Sequence, residues 1–469
     1  MPASSSPFSR RRLFQSALAG ALGAPVLGNG AEGTPTDIFA EPARDLPLVT
    51  DADVIVCGAG PAGVTAAITA ARAGANVRLF EWRGCLGGVW TAGLLGYLLD
   101  FDKTGFAKEL LLRLDASGVR RGTNMKSICY EPEGMKLLLE EMCVEAGVKF
   151  QLHTRVSAAY KDGRRLNTIV TESKSGRQAW RAPVFIDTTG DGDLGALAGC
   201  DFEFGESKDC PCQPMSLNAL LVCKDVSMLG KFLHPSDPKS GPYKKEFLEA
   251  IKATGHFPSY SSPTLWQVRD NLLLVMMNHE YGVKAFDAAQ ITEATVRARS
   301  EMNKIVNGLR KLGGEWEGLQ IAATAEQIGV RDGRRIAGRY VVNESDVVTG
   351  ARHEDGVTRS TFSVDIHALS AEHNKTSAYS NRGLKVQPYD IPLRAMIAKD
   401  VDGLMMAGRC ISGDFIAHAS YRVTGNAVGM GEGAGMVAAL AAKSHRLPHE
   451  VEWKEAAEKI AALPRTAKL

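Results

Sequence analysis

The chain lacks a charge bias, a membrane-length apolar run and a metal-binding cysteine pattern. Net charge is +2 over 469 residues, so composition gives no ground for a nucleic-acid partner or an anionic membrane surface. No stretch approaches the ~18 consecutive apolar residues of a spanning helix, so no integral membrane segment is expected. Nine cysteines are present, an odd number. None forms a C-x-x-C pair and no Cys/His set has zinc spacing, so no metal is expected. Cys210 and Cys212 are the one close pair, equally readable as part of a disulfide or as two unrelated thiols. Tandem repeats and long low-complexity tracts are absent too. What is there is ordinary for a globular protein: 45% hydrophobic and 23% charged residues, with length enough for two or three domains.

The N-terminus differs from the rest. Ser9-Arg10-Arg11-Arg12-Leu13-Phe14-Gln15 resembles the twin-arginine export motif, and weakly apolar Ala/Gly/Leu-rich residues follow over 16–28. A basic segment before an apolar one reads as a signal peptide and is set aside from the fold; a basic, disordered N-terminus is the plainer alternative. Residues 1–31 are therefore expected to be a signal, cleaved near Ala31, and the mature protein to be periplasmic or exported. Such a signal is an address read by a receptor and not an anchor. Residues 32–50, with Pro, Thr and acidic residues, read as a linker.

Residues 53–57 form a short β-branched run and predict a buried strand. The turn Gly58-Ala59-Gly60-Pro61-Ala62-Gly63 follows, then an alanine-rich helix over 64–73 and a second strand over 77–81. This strand–turn–helix–strand unit has the length of a dinucleotide-binding motif, ~30 residues. Each part has a physical task. Gly58 permits the tight turn, Gly60 lets backbone approach a pyrophosphate, and Gly63 lets helix and strand pack closely. Pro61 and Ala62 open the helix, whose unpaired N–H groups and positive dipole end face the phosphates. Glu81, beside Trp82, ends the second strand and can accept from a ribose diol. A glycine turn without a ligand is the bland alternative. Gly84-Cys85-Leu86-Gly87-Gly88-Val89-Trp90-Thr91-Ala92-Gly93 comes next. Its double glycine suits a second close approach to the same diphosphate, and it is too apolar for a free surface loop.

Further along, 106–114 and 134–145 predict helices and 148–152 a strand. Residues 155–181 predict an antiparallel ribbon with turns at Lys161-Asp162-Gly163 and Ser173-Lys174-Ser175-Gly176. A strand over 182–187 runs into Thr188-Thr189-Gly190-Asp191-Gly192-Asp193. The segment 287–312 is the longest helical pattern. Near the C-terminus, a strand over 403–407 leads through a loop to a Gly/Ala-rich helix over about 425–442. Five glycines in that helix, each costing about 0.5–1 kcal/mol relative to alanine, imply very close packing.

These motifs together resemble flavoproteins with a glutathione-reductase-like FAD fold. More narrowly, the chain resembles a family of bacterial FAD-dependent oxidoreductases, often exported. The matching stretches are Glu81 with Leu86-Gly87-Gly88 and Thr91-Ala92-Gly93, the run 185–193, and Ile328-Gly329-Val330-Arg331-Asp332-Gly333-Arg334-Arg335-Ile336. Val364-Asp365-Ile366-His367, Tyr389-Asp390-Ile391-Pro392-Leu393-Arg394, Gly408-Arg409-Cys410-Ile411-Ser412 and His418-Ala419-Ser420-Tyr421-Arg422 complete the set. They span about 51–442. Gly84-Cys85-Leu86-Gly87-Gly88 stands where the family commonly has Gly-Phe-Leu-Gly-Gly, and Arg331-Asp332-Gly333 where Arg-Glu-Ser is common.

The resemblance implies an α/β protein: a Rossmann-like, glutathione-reductase-type FAD-binding domain with an inserted mixed α+β substrate domain. The expected division is FAD domain over 51–200, substrate domain over 201–384, the FAD domain completed over 385–445, and a tail over 446–469. FAD would be held by Gly58, Gly60, Pro61, Ala62, Gly63, Glu81, Trp82, Gly87, Gly88 and Thr91 at one end. Gly190, Asp191, Asp193, Gly408, Arg409, Asp414, Gly425 and Asn426 would hold it elsewhere, Asp414 as a ribityl-hydroxyl ligand.

On the substrate side, hydride transfer to flavin N5 needs a base and orienting groups. His418, expected in the loop before the Gly-rich helix, leads the candidates, with His367 second. Arg331, Arg394 and Arg422 could clamp a carboxylate or polar substrate. Each has a bland alternative: the arginines pairing with internal carboxylates, His367 as a hydrogen-bonded core residue. The expected activity is oxidation of a small polar molecule, with electrons leaving to oxygen, a quinone or a redox protein. The alternatives are a flavin-dependent reductase of an activated double bond fed by a partner, and a non-catalytic exported FAD-binding protein.

Overall fold

Residues 38–121, 128–207, 212–234 and 242–465 are described in a computed structural model. The twin-arginine segment and Cys210 lie outside them; Cys212 is disulfide-bonded. Val54–Cys57 (β1) is wholly buried, as its unbroken β-branched run requires of a strand covered on both faces. Pro61–Arg72 (α1) follows, with Pro61 at the first helical turn, where its missing N–H costs nothing. Val77–Phe80 (β2), Phe106–Ala116 (α2), Pro132–Glu145 (α3) and Lys149–Gln151 (β3) come next. Arg155–Asp162 (β4), Arg165–Ser173 (β5) and Gly176–Arg181 (β6) form an antiparallel sheet. Leu48–Val49 joins its edge, parallel to β6, so part of the expected linker is a paired strand.

Val184–Asp187 (β7) then returns to lie beside β1. Leu404–Met406 (β12), more than two hundred residues later, lies beside β7. The result is a five-stranded parallel sheet in the order β12-β7-β1-β2-β3. The chain between builds a second sheet from Asn218–Val222 (β8), Thr264–Arg269 (β9), Leu272–Met276 (β10) and Gln320–Thr324 (β11), antiparallel in the order β9-β10-β8-β11. Strand alternation divides its faces. Ala219, Leu221, Leu265, Leu273 and Val275 form one cluster with residues of Tyr243–Ala253 (α4) and Ala288–Leu312 (α5). Trp266, Leu274 and Met276 point the other way.

At the C-terminus, Phe415–Tyr421 (α6) and Thr424–Ser444 (α7) follow β12. A Cβ at Gly431 or Gly435 would overlap the carbonyl oxygens of Ala62 and Ala66 on α1. The glycines are thus where two helix backbones cross, and close contact offsets their entropic cost. A further helix, Trp453–Ala462, packs on α7 in the stretch read from sequence as a tail.

Candidate active site

A cavity of about 1300 Å³ opens where β1, β2, β7 and β12 end, lined by Gly58, Glu81, Thr188 and Ala407. Ligands of open parallel sheets bind beyond the carboxyl ends of the strands. The volume exceeds the ~300–1,000 Å³ of ordinary small-molecule sites, room for an extended dinucleotide and a second molecule.

At the glycine turn, Gly58 has φ +99°, and a Cβ there would come within 2.5 Å of Thr188 O. Gly60 lines the cavity, and its missing Cβ faces open space with nothing within 4 Å. Gly63 lies behind it, where a Cβ would overlap Gly58 O. Glu81 is buried; its carboxylate accepts from Ala59 N at 2.8 Å and Arg83 N at 3.0 Å, and it lines the cavity. Gly88, at φ +53°, lines the cavity too. Gly87 donates its N–H to Ala59 O at 2.7 Å and so fastens the double-glycine segment to the turn.

The opposite wall carries Gly190, Asp191, Asp193, Gly408 and Arg409. Arg409 Nη2 donates to Asp191 at 2.7 Å, and Arg334 Nη1 to Asp193 at 2.8 Å. Behind them, burial pushes the Asp187 carboxyl up to about 6, against the N–H groups of Gly195 and Thr189 that it accepts from. Helix α7 has no side-chain cap, and its N-cap residue Val423 and first residue Thr424 line the cavity. Thr424 Oγ1 is buried with no partner among the described residues. Open space at Gly60, an uncapped helix terminus and unsatisfied donors fit a diphosphate-bearing cofactor.

At the other end, Arg331, Asp365, His367 and Arg422 line the same cavity. His367 Nε2 lies 3.1 Å from Asp365 Oδ2, and Arg422 Nη2 donates to that oxygen at 3.1 Å and to Asp365 O at 2.9 Å. Burial raises the Asp365 carboxyl, but His367, Arg422 and Arg331 outweigh it and hold it well below the carboxylate range. An ionised carboxylate only accepts, so Nε2 carries the imidazole proton. His367 Nδ1 is then the lone-pair nitrogen, buried with no partner among the described residues. Burial, then Arg331, lowers the imidazole to about 4, with Asp365 pulling the other way. Arg331 Nη1 donates to Pro214 O and Ser216 Oγ, both at 2.8 Å. Burial, with Arg422 nearby, lowers its guanidinium to about 10.

Residues 53–460 match the family model described as FAD dependent oxidoreductase. The chain belongs to that family. It is an FAD-dependent oxidoreductase, and FAD is its cofactor. One curated protein, urocanate reductase of Eggerthella lenta, is 61% identical over 41 residues; the match covers 9% of this chain and 7% of that protein. Among solved structures, a geranylgeranyl bacteriochlorophyll reductase-like protein of Thermoplasma acidophilum is 14% identical, with 89% of this chain and 84% of that one covered and a TM-score of 0.46. The flavin-dependent brominase Bmp2 is 12% identical, with 88% and 83% covered and a TM-score of 0.47. The p-nitrophenol 4-monooxygenase PnpA of Pseudomonas putida is 12% identical, with 84% and 81% covered and a TM-score of 0.46.

Several expected site residues of this oxidoreductase lie away from the cavity wall. His418 is on α6, not in a loop, and is wholly buried. Burial holds its imidazole far below the usual range, neither ring nitrogen has a partner among the described residues, and it does not line the cavity. Arg394 is half exposed and paired with Asp355 at 3.0 Å. Asp414 caps α6, accepting from Ala417 N at 2.7 Å and Glu344 N at 2.8 Å, so backbone donors occupy its carboxylate. Gly425 backs onto Asp100 O, and Asn426 donates to Ser360 Oγ at 3.0 Å. Thr91 is buried with its hydroxyl on Leu86 O. Gly63 and Gly87 stand behind the wall. Trp82, Pro61 and Ala62 are on it. Sequence reasoning missed Asp365 as a site residue, although it stands two positions before His367, the spacing that puts extended residues on one face. Tyr260, Lys244 and Trp266 also line the cavity; their own stretches carried no motif.

Proposed function

We propose that this enzyme oxidises a small polar molecule by hydride transfer to its flavin, with His367 as base. When bound, FAD would supply the two-electron acceptor for a hydride from a substrate C–H bond. Asp365 holds the His367 ring with Nε2–H toward itself. Nδ1 then takes the proton of the substrate O–H or N–H as the adjoining carbon is oxidised. Arg331 and Arg422 orient the substrate. The Asp365–His367 pair, with its unpartnered Nδ1, carries this reading. In an anaerobic screen of candidate substrates, flavin bleaching should fall about 10²- to 10⁴-fold in His367→Asn, with FAD content unchanged. Bleaching at the wild-type rate in that variant would remove His367 from the reaction.

A second reading has one observation of its own. Arg331, with its lowered guanidinium, suits a proton donor in a reductase of an activated double bond, and the short match to urocanate reductase agrees with it. Oxidation of dithionite-reduced enzyme by such acceptors tests it. The order β12-β7-β1-β2-β3 beside the β4–β6 ribbon supports a glutathione-reductase-type FAD domain, and the second sheet an inserted substrate domain. Export rests on the twin-arginine stretch alone; fusing residues 1–37 to a reporter that needs folded transport tests it.

A further inference from the structure

The second sheet turns one face to helices α4 and α5 and the other toward the cavity. Thr264 and Met276 sit opposite each other in register, and both line the cavity. Met276 carries Arg331 above it, with Nη2 3.6 Å from Sδ. Trp266 lies two residues beyond Thr264 on the same face, about 7 Å along the strand, and it too lines the cavity. Tyr97 and His234 complete an aromatic panel there. Their ring centroids are 5.5 Å and 5.9 Å from that of Trp266, His234 stacked on it. The Trp266 indole N–H is buried with no acceptor among the described residues.

At the Arg331 end the charges do not balance. Arg422 pairs with Asp365 and also feels the buried Asp332, which is itself paired with Arg335. Arg331 makes no ion pair among the described residues and feels Asp365 only at a distance. Lys244 lines the same wall, and its ammonium is lowered by burial and raised in part by Asp365. Buried cations left without counter-charge are costly, and a carboxylate presents two oxygens to a guanidinium fork. Arg422 Nε is buried with no partner among the described residues.

We propose that the substrate is an aryl carboxylate, its carboxylate between Arg331 and Arg422 and its planar ring laid along the sheet face on the Trp266 panel. This rests on the oxidoreductase reading of the same cavity and names its substrate class. The spacing selects a ring set off from the carboxylate by a short chain. A free carboxylate without a ring meets only the cationic end, and a neutral ring only the panel.

The test is equilibrium binding to the oxidised holoenzyme, followed by perturbation of flavin absorbance. The probes are trans-cinnamate, cinnamyl alcohol and acrylate. Cinnamate should bind about 10- to 100-fold tighter than the alcohol and about 3- to 10-fold tighter than acrylate. Arg422→Lys should shrink the first ratio and Trp266→Leu only the second. Arg422 also ties Asp365, so each variant is checked for FAD content; should Arg422→Lys lose FAD, the two ratios in the wild type and the Trp266→Leu result decide. Equal binding of cinnamate and the alcohol, or no carboxylate binding, would overturn the proposal. No turnover is involved, so failure here leaves the hydride-transfer reading to the bleaching experiment, and a failure of that reading shows in bleaching and not in these binding ratios.

Discussion

Gly60 and Gly63, three residues apart, answer to different neighbours. A methyl at Gly63 has no room, because Gly58 O occupies its place. Gly63→Ala should cost about 3 kcal/mol or more of stability, read by denaturant unfolding of apoprotein. A methyl at Gly60 meets open space. Gly60→Ala should leave apoprotein stability within about 0.5 kcal/mol yet weaken FAD binding, read by fluorescence titration, because the methyl stands where the diphosphate approaches. His367 gives a pH prediction. Its imidazole is lowered to about 4, against an ordinary ~6.5. The base form therefore persists into acid, and the acid limb of kcat/KM should fall near pH 4 and not near pH 6.5. Stability follows the same sign. In that window the unfolded chain binds more protons than the folded one, so stability is fully present above about 6.5 and is lost as pH falls toward 4. The lowered Asp365 carboxyl acts in the same direction.

Helix α7 shows how an element is decided by what it crosses. Isolated, a segment with Gly425, Gly429, Gly431, Gly433 and Gly435 is a poor helix. Alanine at 431 or 435 would raise intrinsic propensity by about 1 kcal/mol each. In place, either methyl meets an α1 carbonyl. Gly431→Ala and Gly435→Ala should therefore lower Tm despite the better propensity; thermal unfolding with a raised Tm would show that the crossing is looser than described. The same helix turns its uncapped N-terminus to the cavity through Val423 and Thr424. Its neighbour α6 does the opposite: Asp414 spends its carboxylate on capping, and His418 is packed inward.

At the scale of the molecule, the cavity is walled by strand ends from both halves of the parallel sheet, by the α7 terminus and by one face of the second sheet. FAD bound there would join all of them, and its binding energy would also be folding energy. FAD at 100 times its Kd should add about 2.7 kcal/mol to stability, and acid-stripped protein should melt lower and regain its Tm on reconstitution. Calorimetry of apo and holo protein measures this. Identical transitions would mean that the cavity holds nothing that the fold depends on.

The strand–turn–helix–strand unit at the glycine turn was legible in sequence because it is local. The strand run 54–57, the glycine spacing 58–63 and Glu81 all lie within one supersecondary unit, where spacing alone fixes geometry. Long helices with clear periodicity were legible for the same reason; Ala288–Leu312 follows the expected 287–312, with Asp287 as its cap. At the Arg331 end sequence nominated Arg331, His367 and Arg422 one by one, but not Trp266 or Asp365 or their grouping, because these residues lie far apart in the chain and only packing brings them to one cavity. Sequence placed His418 ahead of His367. Burial on α6 withdrew the first, and the Asp365 carboxylate set the proton of the second. Chemistry that depends on one turn is written in the order of residues, whereas charge balance in a cavity depends on distances that only the folded chain defines.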